Sequence, residues 1–309
     1  MLGAATARLL AARGDLVTVM QRGPSGLPLT EVRADITDNA ALHQACRGKD
    51  AVIHLAAKVS VVGDWKEYER VNVTGTRLAL AAAREAGVSR FVHVSSPSVA
   101  HSGEPIVGAG AEPANPDTAR GHYSRSKAMA EVSALAASNR TLPVVAIRPH
   151  LVWGPGDTQL VERIVDRARS GRLVLVGGGT ALIDTTYVDN AVTALVAALD
   201  RAPHIAGQAF VVTNGEPRTV AELLTRICGA FDVPPPTRSV SATIAGAAGA
   251  VVEQTWDRLD RDGEPPMTRF LAEQLATAHW FDQRRTREAL DWAPHVTLAE
   301  GFRRLTPLG

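Results

Sequence analysis

The chain has 309 residues, enough for one large α/β core with a smaller elaboration. Its 33 Lys and Arg nearly cancel its 32 Asp and Glu, and aromatics make up only 5%, so the basic, aromatic footprint of nucleic-acid binding is excluded. Two unclustered cysteines, Cys46 and Cys228, exclude a zinc ribbon and a disulfide scaffold, and suit a reducing compartment. In chain order, residues 1–10 read as the first turns of an amphipathic helix leading to Arg13-Gly14. Residues 16–20 (LVTVM) form a short apolar run that reads as a strand. A further strand is expected at 51–55 (AVIHL), followed by the small residues Ala56 and Ala57. Residues 72–86 show a helix pattern that stops at Gly87, and 90–96 (RFVHVSS) read as a strand with two serines at its carboxyl end. Residues 122–137 are helical, and 143–147 are the next strand.

Strands alternating with helices imply parallel βαβ units, hence a Rossmann-type doubly wound parallel sheet. Residues 1–150 are expected to form a dinucleotide-binding domain. Residues 151–309 are expected to form mainly a substrate-binding lobe, with some segments returning to the sheet. Pro234-Pro235-Pro236 marks a stiff connector. The opening helix lacks the strand and glycine-rich turn that normally precede it in this fold. Only Gly3 is present, at the place of the last fingerprint glycine. The expectation is that roughly ten residues, a strand and its turn, precede Met1 in the native protein. The apolar stretch 244–252 is far short of the ~20 residues of a membrane span, and is expected to be a buried or substrate-facing helix. With no signal-peptide pattern, a cytoplasmic location is expected, with membrane association only at the periphery and through partners.

The chemistry is concentrated in Tyr123-Ser-Arg-Ser-Lys127 and in Ser95-Ser96. Tyr and Lys four apart share one helix face, one turn from each other. An ammonium at that distance favours phenolate, so the tyrosine's pKa is expected to fall and make it an acid/base for a carbinol oxygen. A serine hydroxyl can hold that oxygen, with Ser95, Ser96 and Ser98 as candidates. The second feature is Met20-Gln21-Arg22-Gly23 at the end of the first strand. An acid there would bond an adenosine 2′-OH, whereas Arg22 suits a 2′-phosphate, so NADP is favoured. Asn72 is read as a helix N-cap. His101, His122 and His150 are read as polar contacts or cleft walls. Residues 279–281 (HWF) are read as packing.

These segments carry a family resemblance. Residues 95–99 (SSPSV), 122–127 (HYSRSK), 148–157 (RPHLVWGPGD), 184–190 (DTTYVDN), 213–217 (TNGEP) and 268–274 (TRFLAEQ) are similar to the extended short-chain dehydrogenase/reductases. Within that superfamily the chain resembles the branch of 3β-hydroxysteroid and sterol-decarboxylating dehydrogenases, and most of all the group of bacterial 2-alkyl-3-oxoalkanoate reductases of olefin biosynthesis. The resemblance implies that Ser96, Tyr123 and Lys127 are catalytic, with Lys127 also bonding the nicotinamide ribose. It further implies that Asp35 and Ile36 bracket the adenine, and that Ala56 lets the backbone approach the cofactor. The implied activity is NADPH-dependent reduction of a long-chain 2-alkyl-3-oxo acid, alongside a β-lactone synthetase and other olefin-pathway enzymes. Dimerisation is implied in the same way. Alternatives are a 3β-hydroxysteroid dehydrogenase-like enzyme, an NAD-dependent sugar-nucleotide epimerase or dehydratase, and an NADP-sensing binding protein without turnover.

Overall fold

A computed structural model describes residues 1–60, 63–101, 103–258 and 269–305. In the first half, helix α1 (Leu2–Arg13) is followed by strands β1 (Thr18–Gln21) and β2 (Thr30–Arg33), helix α2 (Asn39–Cys46) and strand β3 (Ala51–His54). Helix α3 (Trp65–Tyr68) then runs through a π turn, Glu69–Thr74, directly into α4 (Gly75–Glu85). Next come β4 (Arg90–Val94), β5 (Ile106–Ala109), helix α5 (Gly121–Ala136) and β6 (Val144–Pro149). The second half holds β7 (Val152–Trp153), α6 (Val161–Arg169), β8 (Leu175–Val176), β9 (Leu182–Ile183), β10 (Thr186–Tyr187) and α7 (Val188–Arg201). It continues with β11 (Ala209–Val212), β12 (Arg218–Thr219), α8 (Val220–Ala230), β13 (Ser239–Val240), α9 (Ala242–Arg258), α10 (Arg269–Ala276), β14 (His279–Phe281), α11 (Arg284–Leu290) and α12 (Leu298–Leu305).

The architecture is Rossmann-type α/β. Strands β11-β6-β4-β3 form a parallel sheet, in which Phe91 to Val94 lie opposite Val144 to Ile147. Strand period two sorts its side chains. Phe91 and Val144 face α4 and α5, packing with Leu80, Ala83 and Ala134. Val92, Val94, Val145 and Ile147 face the other way onto α7, against Ala194, Leu195 and Leu199. Burying each such large apolar side chain is worth about 1.5–3 kcal/mol, which is why these runs read as strands covered on both faces. Strands β1 and β2 form a separate parallel pair, and β1 has no strand partner on its other edge among the described residues. The parallel strands therefore fall into separate sheets, with β3 at one edge of the four-stranded one.

Helix α5 can lie close to the sheet because its buried face is mostly small: Ser124, Ser126, Ala128, Ala130 and Ala134. Gly75, where the π turn becomes α4, has a similar constraint. A Cβ there would come within 2.9 Å of Ile36 Cγ2. Helix α1 stops at Gly14, whose φ of +99° permits the left-handed cap that bonds back to Ala11 and Leu10.

The two halves exchange strands. β11, from the second half, extends the first sheet, while β5, from the first half, pairs with β14 in the sheet β12-β9-β14-β5. The second-half core gathers Trp153, Tyr187, Leu224 and Phe302, with Trp153 stacked on Phe302 at 4.7 Å between ring centres. Among the described residues no helix is long and apolar enough to cross a membrane.

Candidate active site

Strand β4 ends at Val94, and the chain then leaves the sheet through Ser95 and Ser96. The Ser95 N–H still donates to Ile147 O at 2.7 Å, which holds this exit against β6. Ser96 starts a 3₁₀ turn, Pro97–Ala100. Its Oγ accepts from the Ser98 N–H at 3.3 Å and lies 3.0 Å from Ser98 Oγ. Across from it stands Tyr123, in the first turn of α5, near enough for the Ser96 hydroxyl to pull its pKa down.

Lys127 lies one turn further along the helix, almost fully buried. Its Nζ donates to Val94 O at 2.6 Å, so the ammonium is tied to the strand end that carries the serines. Burial depresses its pKa from 10.5 to about 8, against the opposing pull of Glu131. The tyrosine departs from the sequence expectation. Its pKa is raised, because burial disfavours phenolate, and the influence lowering it is the Ser96 hydrogen bond rather than Lys127.

Asn72 also departs from expectation. It is not an N-cap but lies inside the π turn, fully buried. Its Oδ1 accepts from the Lys58 N–H at 2.7 Å, and its Nδ2 donates to Lys58 O at 3.1 Å and to Ser126 Oγ at 2.9 Å. Ser126 Oγ in turn donates to Tyr123 O at 2.8 Å. Asn72 therefore clamps the loop after β3 to the Tyr123 helix. A helical pattern cannot show this, although π turns concentrate at functional sites.

Ser95, Ser96, Ser98, Tyr123 and Lys127 line one cavity of about 470 Å³ at the carboxyl ends of β3, β4 and β6. Ligands bind at such strand ends in doubly wound sheets. Leu2, Gly3, Leu55 and Ala57 also line this cavity. No side chain caps the start of α1. A Cβ on Gly3 would meet nothing within 4 Å. A helix N-terminus bordering a cavity fits the pyrophosphate of a dinucleotide.

The other cofactor candidates are placed unevenly. Arg22 is exposed just past β1, and Asp35 follows β2. The Asp35 carboxylate accepts from Thr37 N and Oγ1 at 3.0 and 2.7 Å and from Arg70 at 3.1 Å, and the Thr37 bonds chiefly hold its pKa down. Ile36 is packed against Gly75. Ala56 is exposed, and its neighbours Leu55 and Ala57 form the cavity wall instead. That follows from the alternation of side chains as the chain leaves β3.

The cavity is also lined by His101, Ile106, His150, Leu151, Val152, His279 and Phe281. His279 was read as packing in the sequence. No local signal marks it, because only the pairing of β14 with β5 carries it to the cavity. His122 lies elsewhere, its Nδ1 3.2 Å from Gly63 O. The stretch 244–252 does not form the wall that its apolarity suggested. Ile244 and Val251 are about two-thirds exposed, and Ala245 alone of these three is buried. Helix α9 has more apolar residues than its packed face can cover. The side chains of Phe270 and Leu271, expected to line an apolar groove, lie outside the described residues.

Beside the cavity, Arg148 makes a two-pronged ion pair with Glu131 at 2.8 and 2.5 Å and donates to Glu112 O at 2.7 Å. This pair supports the site from behind and does not line the cavity.

Residues 27–241 match the 3-beta hydroxysteroid dehydrogenase/isomerase family. A 2-alkyl-3-oxoalkanoate reductase of Stenotrophomonas maltophilia (strain K279a) is 41% identical, covering 98% of this chain and 95% of the relative. Another of that name from Shewanella oneidensis is 37% identical over 98% of this chain and 82% of its own length. A 3 beta-hydroxysteroid dehydrogenase/Delta 5-->4-isomerase of Mycobacterium tuberculosis is 31% identical over 99% of this chain and 86% of the relative. Among solved structures, MoeE5 in complex with UDP-glucose and NAD superposes with a TM-score of 0.74 at 25% identity, covering 99% of this chain and 94% of that one. The UDP-glucuronic acid 4-epimerase of Bacillus cereus, in complex with NAD, gives 0.73 at 20% identity, covering 98% and 93%, and speaks for the fold alone.

Proposed function

The chain belongs to the 3-beta hydroxysteroid dehydrogenase/isomerase family and is an oxidoreductase of hydroxyl and ketone groups, and from that premise we propose that it reduces a 2-alkyl-3-oxo acid to the 2-alkyl-3-hydroxy acid with NADPH. The observation that carries this reading is the cavity whose lining joins Ser96, Tyr123 and Lys127 to Gly3 in the first turn of α1. Two relatives matched over nearly the whole chain bear the name of that activity.

A nicotinamide bound there would supply the hydride that converts the ketone carbon to a carbinol. The chain's own residues do the rest. Ser96 donates a hydrogen bond to the substrate oxygen and orients it. Tyr123 delivers a proton to that oxygen as negative charge develops on it, and its raised pKa keeps the phenol protonated until then. Ser96 eases the charge left on the phenolate, and Lys127, fixed by Val94 O, keeps a buried ammonium one turn along the helix. In this reading Lys127 also bonds the nicotinamide ribose. At the adenosine end the roles fall to Gly3 beneath the pyrophosphate, Arg22 toward a 2′-phosphate, Asp35 and Ile36 beside the adenine, and Ala56 along the approaching backbone. The β1 end bears Arg22 where an NAD site would bear an acid, which supports NADP. In the olefin pathway the hydroxy acid would pass to a β-lactone synthetase.

The experiment is a rate comparison in the oxidative direction. The enzyme is offered 2-hexyl-3-hydroxydecanoate and a 3β-hydroxysteroid, each with NADP and with NAD. Turnover of the hydroxy acid with NADP supports the reading. Turnover of the steroid alone would transfer the assignment to the activity named for the Mycobacterium relative, and a preference for NAD would overturn the role of Arg22.

A further inference from the structure

Three histidines meet in the wall of the cavity. His101 follows the 3₁₀ turn after Ser96, His150 follows β6, and His279 opens β14. They are 4%, 8% and 2% exposed. The His101 and His279 rings lie 5.0 Å apart at 84°, and His150 and His279 lie 6.2 Å apart at 71°. His150 Nδ1 is 2.6 Å from Asp184 O, and His279 Nε2 is 3.2 Å from Thr277 Oγ1. Both ring nitrogens of His101 and Nδ1 of His279 have no hydrogen-bond partner among the described residues. Leaving a buried polar group unpaired costs about 1–3 kcal/mol. A stacked core cluster gives no return for that cost, whereas a cluster that receives a ligand does.

We propose that His101, His150 and His279 form the subsite that holds the carboxylate of the substrate. The inference rests on the reductase reading above and names the part of the substrate that this wall recognises. In a 3-oxo acid the carboxylate is one carbon removed from the ketone carbon. Once the ketone oxygen sits at Ser96 and Tyr123, the carboxylate must lie close by in the same cavity. Among the described residues no Arg, Asp or Glu lines that cavity. Its groups able to carry positive charge are Lys127, committed to Val94 O, and the three histidines. The apolar neighbours Ile106, Leu151, Val152 and Phe281 offer surface to the alkyl branches. The edge-to-face rings are poorly arranged to converge on one ion, and among the described residues no group of three His, Cys, Asp or Glu is placed to ligate a metal.

The electrostatics give the subsite a signature. Burial, the largest influence on each, pushes His150 down to about 4 and His279 to about 3, and lowers His101 as well. His101 also opposes charging of His150, and both oppose charging of His279. Arg120 lowers His101 further, while Glu273 and Glu104 raise it, and the Asp184 carbonyl raises His150. The free subsite is therefore neutral near pH 7. A carboxylate placed against it favours imidazolium, so the acid binds together with a proton.

The test uses 2-hexyl-3-hydroxydecanoate and its methyl ester, with NADP, on the wild type and on His101→Asn and His279→Asn. The expected result is a roughly 10- to 100-fold loss in kcat/KM for the acid, carried by KM, with the ester unchanged within about 2-fold. Equal losses for acid and ester, or none for either, would overturn the proposal. Calorimetry of the wild type in two buffers of different ionisation enthalpy is independent of how the variants fold. Uptake of about one proton with the acid and none with the ester is expected. Acid binding without proton uptake would overturn the subsite. If neither compound turns over but the acid alone takes up a proton, the subsite stands and the reductase reading falls.

Discussion

Two basic side chains are buried where α5 packs on the sheet, Lys127 on the helix and Arg148 on β6, and they meet opposite fates. Arg148 is about 1% exposed and is met by both oxygens of Glu131 and by Glu112 O. Lys127 is 3% exposed and is met by one carbonyl, Val94 O. Glu131 lies one turn from Lys127 and is its nearest source of negative charge, but it is spent on the arginine. The guanidinium is thereby neutralised in place and becomes part of the scaffold. The ammonium is left under-compensated, with its pKa brought down to about 8. The difference lies in where the one carboxylate goes. It separates a structural ion pair from a group held in readiness for chemistry.

The comparison can be broken in several ways, starting with the largest effect. Lys127→Met should cut turnover by roughly 10²–10⁴-fold, the range of a lost acid/base component. The same variant should change unfolding free energy by no more than about 1 kcal/mol at pH 7, because it trades a desolvated charge for an apolar chain. Urea unfolding and initial rates on one preparation check both halves. A large stability loss would show that Lys127 is scaffold after all.

Glu131→Gln should do the reverse. It leaves Arg148 buried and uncompensated, and should destabilise the fold by about 3–5 kcal/mol. Replacing both partners, Glu131→Leu with Arg148→Met, should restore stability to the wild-type level or raise it by about 1–4 kcal/mol. A double variant as unstable as the single one would mean that the pair contributes more than mutual compensation.

The pH dependence of stability sharpens the same contrast. The folded Lys127 binds its proton less tightly than the unfolded chain does, about 8 against 10.5. Between those values the unfolded state holds more protons, so the cost of this group is present below pH 8 and is relieved as pH rises toward 10.5. Relative to Lys127→Met, the wild type should gain up to about 3 kcal/mol across that window. Urea midpoints measured from pH 7 to 10 would read the gain, and parallel curves for the two proteins would refute it. The smallest effect is expected at Asn72. Asn72→Ala removes the clamp from Lys58 to Ser126 and should cost about 1–3 kcal/mol, seen as a lowered Tm.

The same two kinds of buried group explain what could be read in advance. Tyr123 and Lys127 are a local spacing on one helix, so their meeting needs no knowledge of the fold. The serines at the end of β4 and the apolar runs of β3, β4 and β6 are similarly local, and the parallel sheet follows from their alternation with helices. The partners of Arg148 are not local. Glu131 sits on a different element, and only the packing of α5 on β6 brings the two together. The histidine wall is the extreme case, because His279 reaches the cavity through a strand pairing between the two halves of the chain. Asn72 was legible as a helix residue but not as a clamp, since its partners lie in a loop and in another helix. The direction of the Tyr123 shift was misread because spacing reports a neighbour's charge and not the burial that outweighs it.

The most direct test of the account is Tyr123→Phe. The wild type and the variant are compared for NADP-linked oxidation of 2-hexyl-3-hydroxydecanoate, at saturating NADP and matched fold stability. The account requires turnover by the wild type and a loss of about 100-fold or more in the variant, since one hydroxyl carries the proton. Comparable rates in the two proteins would contradict it and place the reacting centre outside this cavity.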